Sequence, residues 1–544
     1  MPDFPELAFH GAARAVTGSC FRLATAGGTV LIDCGMFQGS KTEKALNWRP
    51  LPFDAARVDA VVLTHAHIDH SGLLPRLAKE GFAGPVHATP ATVALCGVML
   101  PDSAHIQEME VEMLNRRNRG RGREAVTPIY DGQDADRILR QFRAQPLGDW
   151  FAVLPDLRAR LWNAGHLLGS ASVEVEVACA GGPLRLLFSG DIGPDAKLLQ
   201  PDPEGPADLH YIICESTYGD TDRDDASAER RRAALRDLVH EAMRDDGALL
   251  IPSFAVERAQ ELVSDLMQLM AEGKLPVTPV YVDSPMALKA TRVFAEHRAA
   301  LEDGAHLVDM LGHRHLHFVE TVEQSRALGS RHGFHIVIAA SGMCEAGRIR
   351  HHLKNWLWRE EGTVLLAGFQ AEGTLGRILQ DGARMVRIQG EELPVRARIR
   401  QMDLYSGHAD GPELVQWIRD RLPLRQSLFL VHGEDEAMAG LAARLEGVVP
   451  PDRILIPALD ERWELSPDGP TRKAASEAPR LGPEQVARLD WHNDVTRLIL
   501  DINQTLRDAA DEKSRAVLIR RLRRALEDGG HPPPPPRHPL GRKH

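Results

Sequence analysis

From Thr64 to Ser71 the chain reads Thr-His-Ala-His-Ile-Asp-His-Ser, so three imidazoles (His65, His67, His70) and one carboxylate (Asp69) fall within six residues. Mixed nitrogen and carboxylate donors suit a borderline cation such as zinc better than magnesium or calcium. The apolar run Val58–Leu63 reads as a buried strand, and Ser71-Gly72 with Leu73-Leu74-Pro75 as a turn into a helix. The cluster therefore lies on a loop at a strand's C-terminal end, where α/β scaffolds place chemistry. One cluster holds too few donors for two cations. Two further glycine-flanked turns beside apolar strands offer more: Asn163–Ser170 carries His166, and Leu187–Gly193 carries Asp191. Taken singly, each is ordinary turn chemistry.

A chain of 544 residues with 43% apolar residues is too long for one ordinary domain and is not disordered in composition. The N-terminus has no basic segment followed by an apolar one, and no apolar run could cross a bilayer, which predicts a cytoplasmic protein with no membrane partner. Six cysteines (Cys20, Cys34, Cys96, Cys179, Cys214, Cys344) are scattered without a Cys-x-x-Cys pair, so they read as reduced core residues. A formal charge of −11 gives no general attraction to nucleic acid, although basic clusters occur at Arg116–Arg123 and from Lys513 to Arg524.

The elements that must position these groups change character along the chain. Up to about residue 215 strands alternate with polar turns, interrupted by a charged helical segment over about 91–142. From about residue 226 helices and strands alternate: helix Glu229–Met243, strand Ala248–Pro252, helix Arg258–Met270, strand Val280–Asp283 and helix Met286–Ala295. Then come strand His335–Ala340, helix Arg348–Trp358, strand Thr363–Ala367 and helix Leu375–Gln380. Such alternation predicts a doubly wound parallel sheet. After about residue 401 short strand and loop signals resume, which predicts a return to the first domain. Apolar residues at helical spacing from Val495 to Ala509, and again from Leu518 to Leu526, predict a helical hairpin packing on its own chain or on a second subunit as a homodimer. The proline run Pro532–Pro536 and a basic end predict an extended tail. The expected division is 1–215 and 403–460 for the first domain, 216–402 for the insertion, and 461–544 for the hairpin and disordered basic tail.

Asp33-Cys34-Gly35, the His65–His70 cluster, His166 and Asp191 follow the order found in metallo-β-lactamase-fold hydrolases, and the chain resembles a member. Glu215 in Cys-Glu-Ser-Thr-Tyr-Gly, His408 in Ser-Gly-His-Ala-Asp and His432 in Val-His-Gly-Glu resemble motifs A, B and C of the β-CASP nucleases, whose inserted α/β domain falls between motifs A and B. The resemblance spans about residues 8–457. It implies an αββα sandwich with an inserted doubly wound β-CASP domain, and a ribonuclease similar to the endonuclease subunit of the messenger-RNA 3′-end cleavage machinery and its bacterial and archaeal relatives.

Carried over residue by residue, the resemblance implies that His65, His67 and His166 hold one zinc, Asp69, His70 and His432 a second, and that Asp191 bridges them. Asp33 would orient a ligand imidazole. Two zinc ions would activate a water for in-line attack on the phosphodiester of single-stranded RNA. His408, held by Glu215, would protonate the leaving 3′ oxygen, with Asp69 also in the catalytic set. The loop Gly11–Ser19 resembles the family's first active-site loop. In the insertion, Ile338–Arg348 and Ala367–Arg377 each run from strand through glycine loop to helix, and Ser341, Gly342, Arg348, Gly373, Thr374 and Arg377 are expected to hold RNA phosphates. Asp283 reads as a helix cap before Pro285, and His87, His105, His240, His351 and His352 carry no partner pattern. Competing readings are a DNA nuclease, a non-catalytic processing scaffold, and another hydrolase of the fold such as a thioesterase. Endonucleolytic cutting is expected over 5′-exonucleolytic cutting, which the residues do not decide.

Overall fold

The computed structural model describes residues 4–528 apart from 121–123, 180, 196, 224–226, 369, 371–373, 475–479 and most of 482–510. Side-chain alternation builds its first two layers. Leu7, Phe9, Phe21, Leu23, Val30, Ile32, Ala60 and Val62 point one way into the space between two sheets, while Leu31 and Val61 point the other way toward helices. These strands belong to an eight-stranded mixed sheet in which Glu6–Phe9, Phe21–Ala24 and Thr29–Ile32 run antiparallel, and Thr29–Ile32, Ala60–Val62, Val86–Ala88 and Phe142–Ala144 run parallel.

The facing sheet has seven strands, ordered Ile454–Leu455, Leu424–Val431, Leu209–Glu215, Gly182–Phe188, Ala171–Cys179, Leu157–Asn163 and Trp150–Leu154. Leu161, Val173, Val175, Phe188, Ile213 and Phe429 meet the first sheet, and Ile212, Cys214, Leu428 and Leu430 meet the outer helices Gly411–Arg419 and Asp435–Arg444. Helices Leu74–Lys79, Pro90–Arg119 and Gly132–Leu139 cover the other side through Leu74, Leu77, Leu95, Leu100 and Ile138. The result is an αββα sandwich, as the period-2 patterns require.

The inserted unit is a six-stranded, wholly parallel sheet ordered Leu316–Phe318, Val280–Asp283, His335–Ala339, Ala248–Pro252, Gly362–Leu366 and Arg398–Gln401. Each face carries its own apolar layer, so its strands are buried on both sides, as a doubly wound sheet demands. The unit is not free-standing. Ala290, Val293 and Phe294 from its helix Pro285–Glu296 join the apolar layer of the long helix Pro90–Arg119.

One sequence expectation needs correction. Residues after 460 do not leave the sandwich: Glu461–Ser466 and Gly469–Arg472 form a hairpin that extends the first sheet, with Leu7 opposite Trp463. Trp463 and Leu465 alternate with charged residues, which is a strand period in a stretch too short and polar to stand out. Of the expected hairpin of helices, Glu512–Asp528 is helical, and most of the first arm and the proline-rich tail lie outside the described residues. Helix Gly304–Leu311, strand Leu316–Phe318 and the hairpin Met385–Pro394 were not foreseen. Among the described residues no helix is long and apolar enough to cross a membrane.

Candidate metal centre

Strand ends gather the chemistry at one edge of the sandwich. His65, His67, Asp69 and His70 follow strand Ala60–Val62, His166 follows Leu157–Asn163, and Asp191 follows Gly182–Phe188. Glu215 closes Leu209–Glu215, and His432 directly succeeds Leu424–Val431. The backbone at this edge is tight. Gly35 has no substitute, because a Cβ there would lie 1.6 Å from the carbonyl oxygen of Asp69. Asp33 and His432 adopt φ of +62° and +50°, which non-glycine residues hold only when their surroundings fix them. The carbonyl of Ala12, in the Gly11–Ser19 loop, accepts the His432 N–H at 2.7 Å and does part of that fixing.

Two donor sets result. In the first, His67 Nδ1 lies 3.2 Å from both His65 Nε2 and His166 Nε2, and Asp191 Oδ2 lies 3.4 Å from His65 Nε2 and 3.5 Å from His166 Nε2. In the second, His432 Nε2 lies 3.2 Å from His70 Nε2 and 3.8 Å from Asp69 Oδ2. Asp191 Oδ1 faces this set at 3.2 Å from His70 and 3.5 Å from His432. A tetrahedral zinc bonded at about 2.0–2.1 Å holds its donor atoms about 3.3 Å apart, so the spacing fits. Asp191 Oδ1 is buried yet has no hydrogen bond of acceptable geometry. A buried carboxylate oxygen without a donor is costly, and a cation between the sets would satisfy it.

The surroundings divide the imidazoles by charge. Burial holds His65 and His166 well below the ordinary value, and draws His67 down to about 4, so these three are neutral donors near neutral pH. Burial acts the same way on His70 and His432, but Asp191, joined by Asp33 for His70 and Asp69 for His432, outweighs it and raises both. The same imidazoles overcome desolvation at Asp191 and keep its carboxyl well below the usual range.

The rings of His70, His166 and His432 are held from behind. Asp33 accepts from the Thr64 N–H at 2.8 Å, the Thr64 hydroxyl at 2.9 Å and His70 Nδ1 at 2.7 Å. His166 Nδ1 donates to the Gly407 carbonyl at 2.6 Å, which ties this loop to the segment carrying His408. Thr217 was not foreseen: its hydroxyl donates to Glu215 at 2.6 Å and lies 3.1 Å from His432 Nδ1. His408 Nδ1 rests on Glu215 at 3.1 and 3.2 Å, while its Nε2 points back to Asp191 Oδ2 at 3.9 Å. Glu215 is fully buried and also accepts the Ile192 N–H at 2.6 Å, so its position is fixed.

The expected phosphate loops look different at atomic distance. Arg348 binds Asp283 at 2.6 Å and the carbonyls of Val319 and Glu320, so it is engaged inside its own domain. Asp283 is not the helix cap. Ser284 takes that place, while Asp283 is a buried acceptor for Ser325, His352 and Arg348. Burial of Asp283 gave His352 a partner that periodicity could not reveal. Ser341 accepts the Ala346 N–H, and the Gly342 carbonyl accepts from Gln370. Thr374 caps the helix Leu375–Gln380, whose first N–H is already bonded to Glu345, and Arg377 pairs with Asp381. Gly373 lies outside the described residues. These groups satisfy the strand-loop-helix joints themselves, which is the local requirement any such joint must meet. Two cations beside the site are Arg223, 4.6 Å over the Tyr218 ring and bonded to the His408 carbonyl, and Arg258, which faces the same tyrosine.

Fold and site together define a metal-dependent hydrolase of the metallo-β-lactamase superfamily, whose family description matches residues 13–240. The Beta-Casp domain matches residues 259–379, and the Zn-dependent metallo-hydrolase RNA specificity domain matches residues 392–455. The chain belongs to the β-CASP ribonuclease family. It is 37% identical over 444 residues to Ribonuclease TTHA0252 of Thermus thermophilus, covering 80% of this chain and 94% of the relative. It is also 28% identical over 446 residues to Transcription termination factor FttA of Methanosarcina mazei and 30% identical over 445 residues to that of Methanocaldococcus jannaschii. This chain spans 67% of each of those two longer proteins.

Proposed function

We propose that this protein is a zinc-dependent ribonuclease that cuts single-stranded RNA internally, in RNA processing or decay. His65, His67 and His166 would hold one zinc, Asp69, His70 and His432 the other, and Asp191, which faces both sets, would serve both. When bound, such a pair supplies Lewis acidity, making water nucleophilic near neutral pH and offsetting charge on the phosphate. The chain's residues do the rest. His408 presents Nε2 toward the centre and donates a proton to the departing 3′ oxygen, and Glu215 fixes the ring by accepting a hydrogen bond from Nδ1–H. Arg223 and Arg258 draw the polyanion in despite the overall charge of −11. The six cysteines are free thiols, in keeping with a cytoplasmic protein.

The observation that carries this reading is the splitting of Asp191 between two donor sets, with His408 beside it. It is tested by metal analysis together with incubation of 5′-labelled and 3′-labelled RNA and single-stranded DNA. We expect about two zinc per chain and internal cuts in RNA. Asp191→Ala should lose metal and activity together. His408→Ala should keep its metal and cut RNA about 10²–10⁴-fold more slowly. It should still hydrolyse a nitrophenyl phosphodiester, whose leaving group needs no proton. Zinc-loaded protein that ignores RNA, or cuts DNA better, would refute the assignment.

A further inference from the structure

The loop carrying His166 is held by a carboxylate from the inserted domain. Glu257 precedes helix Arg258–Ala271 and is 5% exposed. Its Oε2 accepts the Leu168 N–H at 3.2 Å, and Gln200 Nε2 donates to both oxygens at 2.9 and 3.1 Å. Lys197 Nζ lies 3.5 Å from Oε1 and donates to the carbonyl of His166 itself. Lys197 and Gln200 are as buried as their partner. All these contacts come from the sandwich, although Glu257 belongs to the insertion.

Its backbone makes this placement informative. Glu257 sits at φ +71°, ψ −66°, a conformation that glycine tolerates and other residues occupy only under strain. Serving only as a chain reversal into the helix, the position would be better filled by glycine. What glutamate adds is the carboxylate, which accepts the Leu168 N–H directly and reaches the His166 carbonyl through Lys197. With Nδ1 anchored on Gly407 and the main chain on Lys197 and Glu257, the ring has no freedom to leave Asp191.

We infer that Glu257 and Lys197 are positioning residues for His166, so that seating of the inserted domain on the sandwich is a condition for a tightly held cation in the first donor set. The inference rests on the reading of His166 as a metal ligand. Partners of this kind tune ligand orientation, and their loss costs about 10–100-fold in metal affinity.

The test uses the full chain, stripped of metal and titrated with zinc against a chromophoric chelator, with metal-free unfolding measured in parallel. Glu257→Ala removes the carboxylate and keeps the backbone strain; Glu257→Gly removes both. A positioning role requires zinc affinity to fall at least about tenfold in Glu257→Gly and in Lys197→Met. The loss in Glu257→Gly should persist even where its metal-free unfolding midpoint recovers relative to Glu257→Ala. Glu257→Gln, which keeps an oxygen for the Leu168 N–H, should retain most of the affinity and serves if the other variants do not fold. Variants that hold zinc within about twofold of the unaltered chain would overturn the inference alone, since that difference is far below the expected loss. An unaltered chain that holds no zinc would overturn the metal assignment instead.

Discussion

A cation needs neutral nitrogen donors and at least one fixed anion, and individual side chains here meet both needs through what lies behind them. Asp33 is the clearest case, since it is wholly buried, strained in φ, and bonded to His70 and twice to Thr64. Asp33→Asn removes one acceptor and introduces a donor facing the Thr64 hydroxyl and the His70 ring. We expect zinc affinity of the Asp69, His70 and His432 set to fall by about 10–100-fold, so that dialysed protein drops from about two zinc to about one. A ratio unchanged after dialysis would mean that Asp33 does not orient His70. The proposed ligands within the His65–His70 run were legible because their spacing is local. Asp33 and His166 became legible through the family motif. Thr217 and Glu257 were not, because a hydroxyl or carboxylate acquires such a role only when chain reversal places it behind a ligand tens of residues away.

Among elements, helix Arg258–Ala271 lies at the junction of both units and is unusually rich in buried carboxylates. Arg231, Arg232 and Tyr405 satisfy Asp265. Glu261 is 3% exposed, and burial pushes its carboxyl up to about 7, with Lys197 opposing and Glu257 adding to the rise. In the unfolded chain it titrates near 4.5, so between these values the folded state holds a proton that the unfolded state has lost. Its contribution is therefore most favourable below about pH 4.5 and declines as the pH rises to about 7, by up to about 3 kcal/mol. Glu261→Gln should flatten that slope. Urea unfolding of metal-free protein should show the variant gaining on the unaltered chain between pH 5 and pH 8, and equal differences at both pH values would refute the linkage. The helix itself was legible from its periodicity, as were the strands on either side of it. Helix Gly304–Leu311 and the hairpin Met385–Pro394 were not, since His306 and Asp309 interrupt the short helix and Arg387, Glu391 and Glu392 the strands, leaving no sustained apolar period.

Over the whole molecule, closure of the first sheet depends on the chain's return after residue 460, and that dependence can be cut at a chosen place. Strand Glu461–Ser466 covers the edge of Glu6–Phe9, burying Leu465 fully. Beyond it, Leu481 joins the apolar layer between the sheets, and Arg480 bonds Asp460 at 3.0 Å and the His10 carbonyl. Asp460 also holds His10 at 3.0 Å; burial opposes its ionisation, but His10 and Arg480 keep its carboxyl well below the usual range. In helix Glu512–Asp528 Val517 and Ile519 are exposed, and none of its described side chains joins these layers. A chain ending at Leu481 should therefore keep the unfolding midpoint and zinc content of the full protein. A chain ending at Asp460 leaves a bare strand edge over Leu7 and Phe9 and loses the burial of Trp463, Leu465 and Leu481, a deficit of about 5 kcal/mol. It should aggregate, or unfold at markedly lower urea, with its metal ligands all present in sequence. Equal stability of the two truncated chains would show that the hairpin Glu461–Arg472 is dispensable and that the sandwich closes without it.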